Sequence, residues 1–419
     1  FVIYDDPFDI IAHLMVGSEG TLAFLSEVTM KTEHDYPYSA SAMLYFSNIK
    51  DACRAVVAMK PGPVFSAELL DKKSLASVND TTGTGLTAVL TETKADTPEE
   101  LQANIEEIKK ILSPFETVTP IHFTDKPEEY SKYWAIRSGI FPSVGGTRRP
   151  GTTVLIEDVA FPLKELPEAT ADLQELLVTN EYHDACIYGH ALEGNFHFII
   201  SQSFDSPEQV ARYEKLMDEV KTLVVDKYDG SLKAEHGTGR NMAPFVKYEW
   251  GERAYGFMKA VKELFDPKGL LNPGVIFNED PHCHLKHFKP MPLTNAHVDK
   301  CIECGFCEVN CLTCGFSLSS RQRIVIQREI SRLKKLSDTE SSERLKTLQK
   351  QYKYLGNATC AGDGLCSMSC PMGINVGDLT HDIRQANLPE KSIGYKTGDF
   401  VANHFAETKS ALRPVLYLA

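Results

Sequence analysis

The chain has 419 residues, 42% of them hydrophobic and 24% charged, with a formal net charge of −13 at pH 7. That length accommodates two or three domains with a substantial core, and the acidic balance argues against a general nucleic-acid binder, which would present a basic face. No run approaches the roughly 18 consecutive apolar residues of a membrane span, so membrane contact, where it exists, is peripheral.

Between Phe1 and Thr32 the turn Gly17-Ser18-Glu19-Gly20-Thr21 precedes an apolar stretch, Leu22 to Val28. The glycines let backbone amides approach a ligand closely, and the stretch is expected to form a buried strand. Alone, such a pattern is more often a simple turn than a cofactor site. Residues 39 to 123 then alternate: strands near Ala40–Phe46, Phe65–Leu70 and Leu86–Thr93, a helix near Ile49–Met59, and a helix opened by Thr97-Pro98. In that last helix Leu101, Ile105, Ile108 and Leu112 share one face, with Thr97 as N-cap and Pro98 at the first position. A similar unit runs from Thr152 to Leu232, with strands near Thr153–Glu157, Cys186–His190 and Phe196–Ser201 and helices near Leu166–Leu177 and Ser206–Lys227. Two strand-helix-strand-strand-helix units in tandem predict an α+β domain, one antiparallel sheet covered by helices. A last helix near Ala254–Leu264 ends at Phe265-Asp266-Pro267.

Residues 279 to 298 hold Pro281, Pro290 and Pro292 in a His-rich, unpatterned stretch that reads as a linker. The chain opens at Phe1 without methionine and stops at Ala419 without an end signal, as expected of a segment cut at both ends.

Beyond the linker lie eight of the eleven cysteines, and seven of them fall into two arrays. Cys301, Cys304, Cys307 and Cys311 are spaced C-x-x-C-x-x-C-x-x-x-C, the run that wraps a cubane iron-sulfur cluster in bacterial ferredoxins. Cys360, Cys366 and Cys370, with Pro371 next, repeat the spacing except that Asp363 stands at the second ligand position. Thiolate ligands in such numbers, with no signal peptide, fit a reducing compartment rather than a disulfide framework. If the fourth cysteine of each array ligates the other array's cluster, Cys301, Cys304, Cys307 and Cys370 hold one cubane. Cys311, Cys360 and Cys366 then hold the second, with Asp363 in fourth place.

Aspartate is a harder ligand than thiolate, so that second cluster is either a cubane with one loosely held iron or a three-iron form. Equally, Asp363 can merely cap the turn Gly362-Asp363-Gly364. Cys314 is a spare thiol or a substitute ligand, since Leu312 replaces the usual proline after Cys311. Between the arrays, Arg321 to Tyr354 reads as a helix or helical hairpin. Cys53 and Cys186 read as core residues.

Three upstream segments concentrate polar residues beyond what packing needs. In Tyr188 to His197, His190 and His197 flank a Gly-Asn turn that can bring both imidazoles to one side. In Lys233 to Arg240, Glu235 and His236 sit beside glycines that permit close approach of a planar ligand. Two imidazoles and a carboxylate suit zinc or a similar divalent ion at an open site. Arg137, in Trp134-Ala135-Ile136-Arg137, offers a guanidinium for a substrate carboxylate, although an arginine alone is more often a salt-bridge partner. His13 and His183 read as structural or solvated, and His282, Cys283, His284 and His287 as an accident of the linker.

Taken in order, the Gly17 to Leu22 turn, the Tyr188 to His197 segment, Glu235-His236-Gly237, Asp266-Pro267 and Leu271-Asn272-Pro273-Gly274 resemble the hallmark stretches of FAD-linked 2-hydroxyacid dehydrogenases of the vanillyl-alcohol-oxidase type. Cys-Ile-Glu-Cys-Gly-Phe-Cys from Cys301, with Arg321-Gln322-Arg323-Ile324 after it, is similar to respiratory D-lactate dehydrogenases with a fused iron-sulfur domain. The resemblance runs from Asp6 to about Gly377. It implies five parts: the tail of a VAO/PCMH-type FAD-binding domain (1–36), an α+β substrate or cap domain (37–278), the linker (279–298), a mainly α-helical, ferredoxin-like two-cluster domain (299–385), and the start of a further region (386–419).

The resemblance also implies that Gly17, Ser18, Glu19, Gly20 and Thr21 line the flavin and that Asn272 approaches it. His190, His197 and Glu235 are implied to hold a divalent metal, zinc by the ligand set, with His236 as base and Arg137 on the substrate carboxylate. The implied activity is FAD-dependent oxidation of a D-2-hydroxyacid, D-lactate first, with electrons leaving through two iron-sulfur clusters to a quinone or cytochrome rather than to NAD. The implied setting is cytoplasmic, with peripheral contact to the inner face of a respiratory membrane as an option. D-2-hydroxyglutarate oxidation and a non-catalytic electron-transfer subunit are the alternatives.

Overall fold

The computed structural model describes residues 3–78, 85–388 and 392–417. They fall into two compact units, Phe1–Met291 and Pro292–Ala419.

The first unit is built on a six-stranded sheet. Its strands are β1 (Tyr38–Phe46), β2 (Ser66–Leu70), β3 (Thr87–Ala95), β4 (Thr153–Ala160), β5 (Cys186–His190) and β6 (Asn195–Gln202), in the order β1-β3-β2-β5-β6-β4. Every neighbouring pair is antiparallel. The helices are α1 (Pro7–Met15), α2 (Ile49–Met59), α3 (Lys72–Ser77), α4 (Pro98–Leu112), α5 (Pro127–Thr147), α6 (Leu166–Thr179), α7 (Pro207–Lys221) and α8 (Ala243–Phe265). The tandem repeat is visible in the order: the first half reads first-third-second strand and the other second-third-first. The halves join at β2 and β5, where Glu68 pairs with His190 and Leu70 with Tyr188.

Both sheet faces are covered, which explains why β1 is buried continuously over residues 40–46. Leu44, Phe46, Leu69, Phe196 and Phe198 pack with residues of α2, α4, α6 and α7. Met43, Tyr45, Leu70, Leu90 and Tyr188 face Leu75 of α3 and Ile140 and Val144 of α5. Helix α4 forms where its caps direct: Thr97 accepts from the Glu100 amide, Pro98 opens the first turn, and Lys109 and Lys110 close it.

One sequence expectation fails. Leu22 to Val28 forms no strand: Leu22 is buried, but Phe24 and Val28 are 87% and 63% exposed, and no described strand pairs with the segment. Helix α8 is broken at Gly251, whose φ of 73° only glycine adopts readily; its second segment is the helix expected near Ala254–Leu264, and its first, from Ala243, is additional.

The second unit contains α9 (Ser320–Leu333), α10 (Thr339–Tyr352), α11 (Val376–Ala386), α12 (Ile393–Asn403) and α13 (Phe405–Tyr417). Ser319 and Gln322 start α9 with a reciprocal capping box, and α9 and α10 make the expected hairpin. The buried cluster of this unit is small, namely Val298, Ile324, Ile374, Val376 and Leu379 with Cys301, Cys307 and Cys366. A core this small needs a staple, and cysteines make up much of it. Among the described residues no helix is long and apolar enough to cross a membrane.

Candidate active site and cysteine centre

The site of the first unit lies across the middle of its sheet. Register places Glu68 opposite His190, Tyr188 opposite His197, and His197 opposite Asp158, so four adjacent strands present these side chains on one face. The turn between β5 and β6 closes at Gly194, with φ of 71°; a Cβ there would sit 2.3 Å from the Phe161 carbonyl oxygen. That constraint fixes the offset between His190 and His197.

Both imidazoles then point their Nε2 atoms at one carboxylate oxygen. Glu235 Oε1 is 3.2 Å from His190 Nε2 and 3.0 Å from His197 Nε2. Each Nδ1 is backed by a second carboxylate: Glu68 Oε1 at 2.5 Å for His190 and Asp158 Oδ1 at 3.3 Å for His197. A histidine that ligates through Nε2 is held in the right tautomer by a carboxylate hydrogen-bonded to Nδ1; for His190 this is a hydrogen bond, and for His197 a 3.3 Å contact. The donor set therefore fits a divalent ion bound by His190, His197 and Glu235, whose ligand atoms lie within 4.8 Å of one another.

A second grouping, Asp158 with His197 and His236, is equally compact but does not suit a metal. Asp158 Oδ2 already accepts the amides of Ala234, Glu235 and His236 at 2.8, 2.7 and 2.9 Å, and Oδ1 accepts from Asn195 Nδ2 at 2.5 Å. Burial disfavours its charge, yet hydrogen bonds from His197, the His236 amide and Asn195 outweigh that and hold the carboxyl well below its ordinary range.

His236 stacks parallel on His197, ring centroids 4.5 Å apart. Its Nε2 is 3.6 Å from Glu235 Oε1. Partial burial and the neighbouring His197 lower its pKa, which favours the neutral imidazole a base requires.

Arg137, on α5, donates from Nε to Glu68 Oε2 at 2.8 Å and lies over the Tyr188 ring, 4.8 Å from its centroid. Among the described residues its two terminal nitrogens have no hydrogen-bond acceptor, which leaves the bidentate end of the fork for an anion. Arg148 differs: it is buried and bonds the carbonyls of Thr152 and Gly145 in its own loop.

The Gly17–Thr21 turn is tied to the same loop as the catalytic candidates. Glu19 accepts the amides of Thr238 and Gly239 at 2.5 and 2.7 Å, and Asn272 Nδ2 donates to the Glu19 carbonyl at 2.6 Å. Gly17 and Gly20 have φ of 75° and 68°, and a Cβ on either would meet nothing within 4 Å, so bare backbone faces open space. Beside Gly17 and Ser18 runs an apolar groove of about 740 Å³, walled by Leu14, Val16, Leu22, Trp250 and Phe257. Backbone amides next to apolar walls suit a flavin.

In the second unit the two arrays interleave. Cys307 has Cys370, Cys366 and Cys304 as neighbours, and Cys366 has Cys360 and Cys311. Cys311, Cys360, Cys366 and Asp363 line one cavity. Asp363 Oδ1 accepts the Leu365 amide at 3.1 Å, capping its turn, while Oδ2 has no hydrogen-bond partner among the described residues. Cys314 is exposed and does not line this cavity. Cys53 and Cys186 are buried in the first unit.

Glu68 and Asp158 escaped the sequence reading. A signal existed: each is an acid inside a strand whose neighbours are apolar and buried, where a carboxylate is costly without a partner.

Residues 37–276 match the family model "FAD linked oxidases, C-terminal domain", and residues 297–374 match "4Fe-4S dicluster domain". The chain is 29% identical over 286 residues to the mitochondrial D-lactate dehydrogenase [cytochrome] of Arabidopsis thaliana, covering 65% of this chain and 48% of that protein. It is 25% identical over 276 residues to glycolate oxidase subunit GlcD of Bacillus subtilis, covering 64% and 57%. It is also 25% identical over 280 residues to D-lactate dehydrogenase [cytochrome] 1, mitochondrial, of Saccharomyces cerevisiae, covering 64% and 47%. The chain thus spans about half the length of these curated relatives.

Glu68 offers two oxygens to two donors, His190 and Arg137, whereas glutamine would offer only one. If His190, His197 and Glu235 hold a divalent ion, Glu68→Gln is expected to weaken binding of added zinc about 10- to 100-fold, measured by competition with a chromophoric chelator; unchanged affinity would show that Glu68 does not orient a metal ligand.

Proposed function

Since the chain belongs to the FAD-linked oxidases by its C-terminal domain and carries a 4Fe-4S dicluster domain behind it, we infer that it oxidises a D-2-hydroxyacid, D-lactate to pyruvate. The observation that carries this reading is the convergence of His190, His197 and Glu235 beside His236 and the open fork of Arg137. FAD, when bound at the Gly17–Thr21 turn, supplies the two-electron acceptor. A divalent ion held by His190, His197 and Glu235 supplies a Lewis acid for the substrate 2-hydroxyl.

The protein's own groups do the rest. Arg137 holds the substrate carboxylate through its terminal nitrogens, and Glu68 fixes Arg137 relative to His190. His236 Nε2 would take the hydroxyl proton as the C2–H bond breaks, leaving the 2-keto acid, and FAD held by the Gly17–Thr21 turn and Asn272 would supply the acceptor for the hydride's electron pair. Iron-sulfur clusters held by the cysteine domain would supply one-electron carriers toward a quinone or cytochrome, with a respiratory membrane surface as the setting.

A second carboxylate on the substrate would need a second cation. Of the neighbouring Arg148 and Arg149, the first is engaged with backbone carbonyls and the second is exposed; we propose D-lactate over D-2-hydroxyglutarate. Comparing turnover of the two substrates tests this choice; faster turnover of the diacid would reverse it. His236→Ala is expected to slow flavin reduction by D-lactate about 10²- to 10⁴-fold, followed by anaerobic stopped-flow absorbance, and a parental rate would remove His236 as the base.

For the cysteine domain we propose Cys301, Cys304, Cys307 and Cys370 for one cluster and Cys311, Cys360, Cys366 and Asp363 for the other. Electron paramagnetic resonance of Asp363→Cys beside the parental protein should show one altered cluster signal. Identical signals would exclude Asp363 as a ligand.

A further inference from the structure

Arg323 is 1% exposed and heads the largest fully buried side chains of the protein. Its Nε donates to the Gly356 carbonyl at 2.6 Å, and Nη2 donates to Thr313 Oγ1 and Thr359 Oγ1, both at 3.0 Å. Nη1 points at Cys311 Sγ, 3.6 Å away. Among the described residues no carboxylate pairs with it.

A guanidinium is always charged, and burying that charge without a counter-ion costs several kcal/mol. Arg328, one turn further along α9, shows the ordinary solution. It is also buried, and its Nη1 meets Glu303 Oε1 at 2.6 Å. Arg323 lines the cavity that Cys311, Cys360, Cys366 and Asp363 surround, so its counter-charge belongs inside that cavity.

We propose that Arg323 is the counter-ion of the second cluster and raises its reduction potential. The proposal rests on Cys311, Cys360 and Cys366 sharing one cluster. A thiolate-ligated cluster is anionic and gains one further negative charge on reduction, so an adjacent fixed cation favours the reduced form. Hydrogen bonds to ligand sulfur act in the same direction. Asp363, a hard anionic ligand, would by itself favour the oxidised form, and Arg323 opposes it. Arg323 thereby keeps the second cluster able to accept electrons.

The test is an EPR-monitored redox titration of the full chain with reconstituted clusters. Arg323→Gln keeps an amide donor but removes the charge, and should lower the midpoint of one cluster while leaving the other in place. Arg323→Lys keeps the charge and should lower it less. Two cluster signals with unmoved midpoints in Arg323→Gln would overturn the proposal alone. A single cluster signal from the parental protein would overturn the pairing and the proposal with it. If Arg323→Gln does not assemble its clusters, pulsed EPR of parental protein labelled with guanidinium-¹⁵N arginine decides. Coupling of one reduced cluster to a guanidinium nitrogen supports the contact, and its absence overturns it.

Discussion

The site of the first unit depends on one buried carboxylate. Asp158 is fully buried on β4 and gathers three successive amides of Ala234, Glu235 and His236 on one oxygen. Its other oxygen receives Asn195 and faces His197. Charge-assisted hydrogen bonds of this number offset the desolvation of a carboxylate, and they do so only if the loop takes this one shape. The neighbouring Glu157 holds the flanks of the same loop, through Lys233 at 2.9 Å and Asn241 at 2.6 Å. Glu19 completes the clamp by taking the amides of Thr238 and Gly239. Residues 234–239 are thus strung between carboxylates, with Glu235 and His236 directed at the paired histidines.

This arrangement separates rigid placement from exposed chemistry. The backing carboxylates Glu68 and Asp158 are 5% and 0% exposed, whereas Glu235 and His236 remain open to a ligand. Groups that orient are locked by packing, and groups that react stay accessible. In the second unit a buried charge again marks the place where a ligand belongs, with Arg323 facing the cavity as a cation.

Much of this was legible in the sequence, for identifiable reasons. Thr97-Pro98 and the Leu101–Leu112 stripe are local signals, and local contacts decide α4. The two cysteine arrays could be read because their spacing is itself a ligand geometry. His190 and His197 could be paired because a short hairpin connects them. Glu68 lies 122 residues from His190, and no pattern along the chain joins them; only the palindromic strand order brings β2 beside β5. Leu22 to Val28 misled because hydrophobicity signals a wish for burial but not a strand partner. The helix near Ala254–Leu264 could be read because Gly251 breaks α8 and leaves that segment to form its own apolar period, whereas the short segment from Ala243 carried no comparable signal.

If a D-2-hydroxyacid is oxidised at the histidine site, its electrons should reach the cysteine arrays. Anaerobic mixing of the flavin- and cluster-loaded protein with D-lactate, freeze-quenched for electron paramagnetic resonance while flavin absorbance is followed, measures both events. Flavin bleaching followed by the signals of reduced clusters is expected. Bleaching with clusters that stay oxidised, or no bleaching at all, would rule out the proposed path.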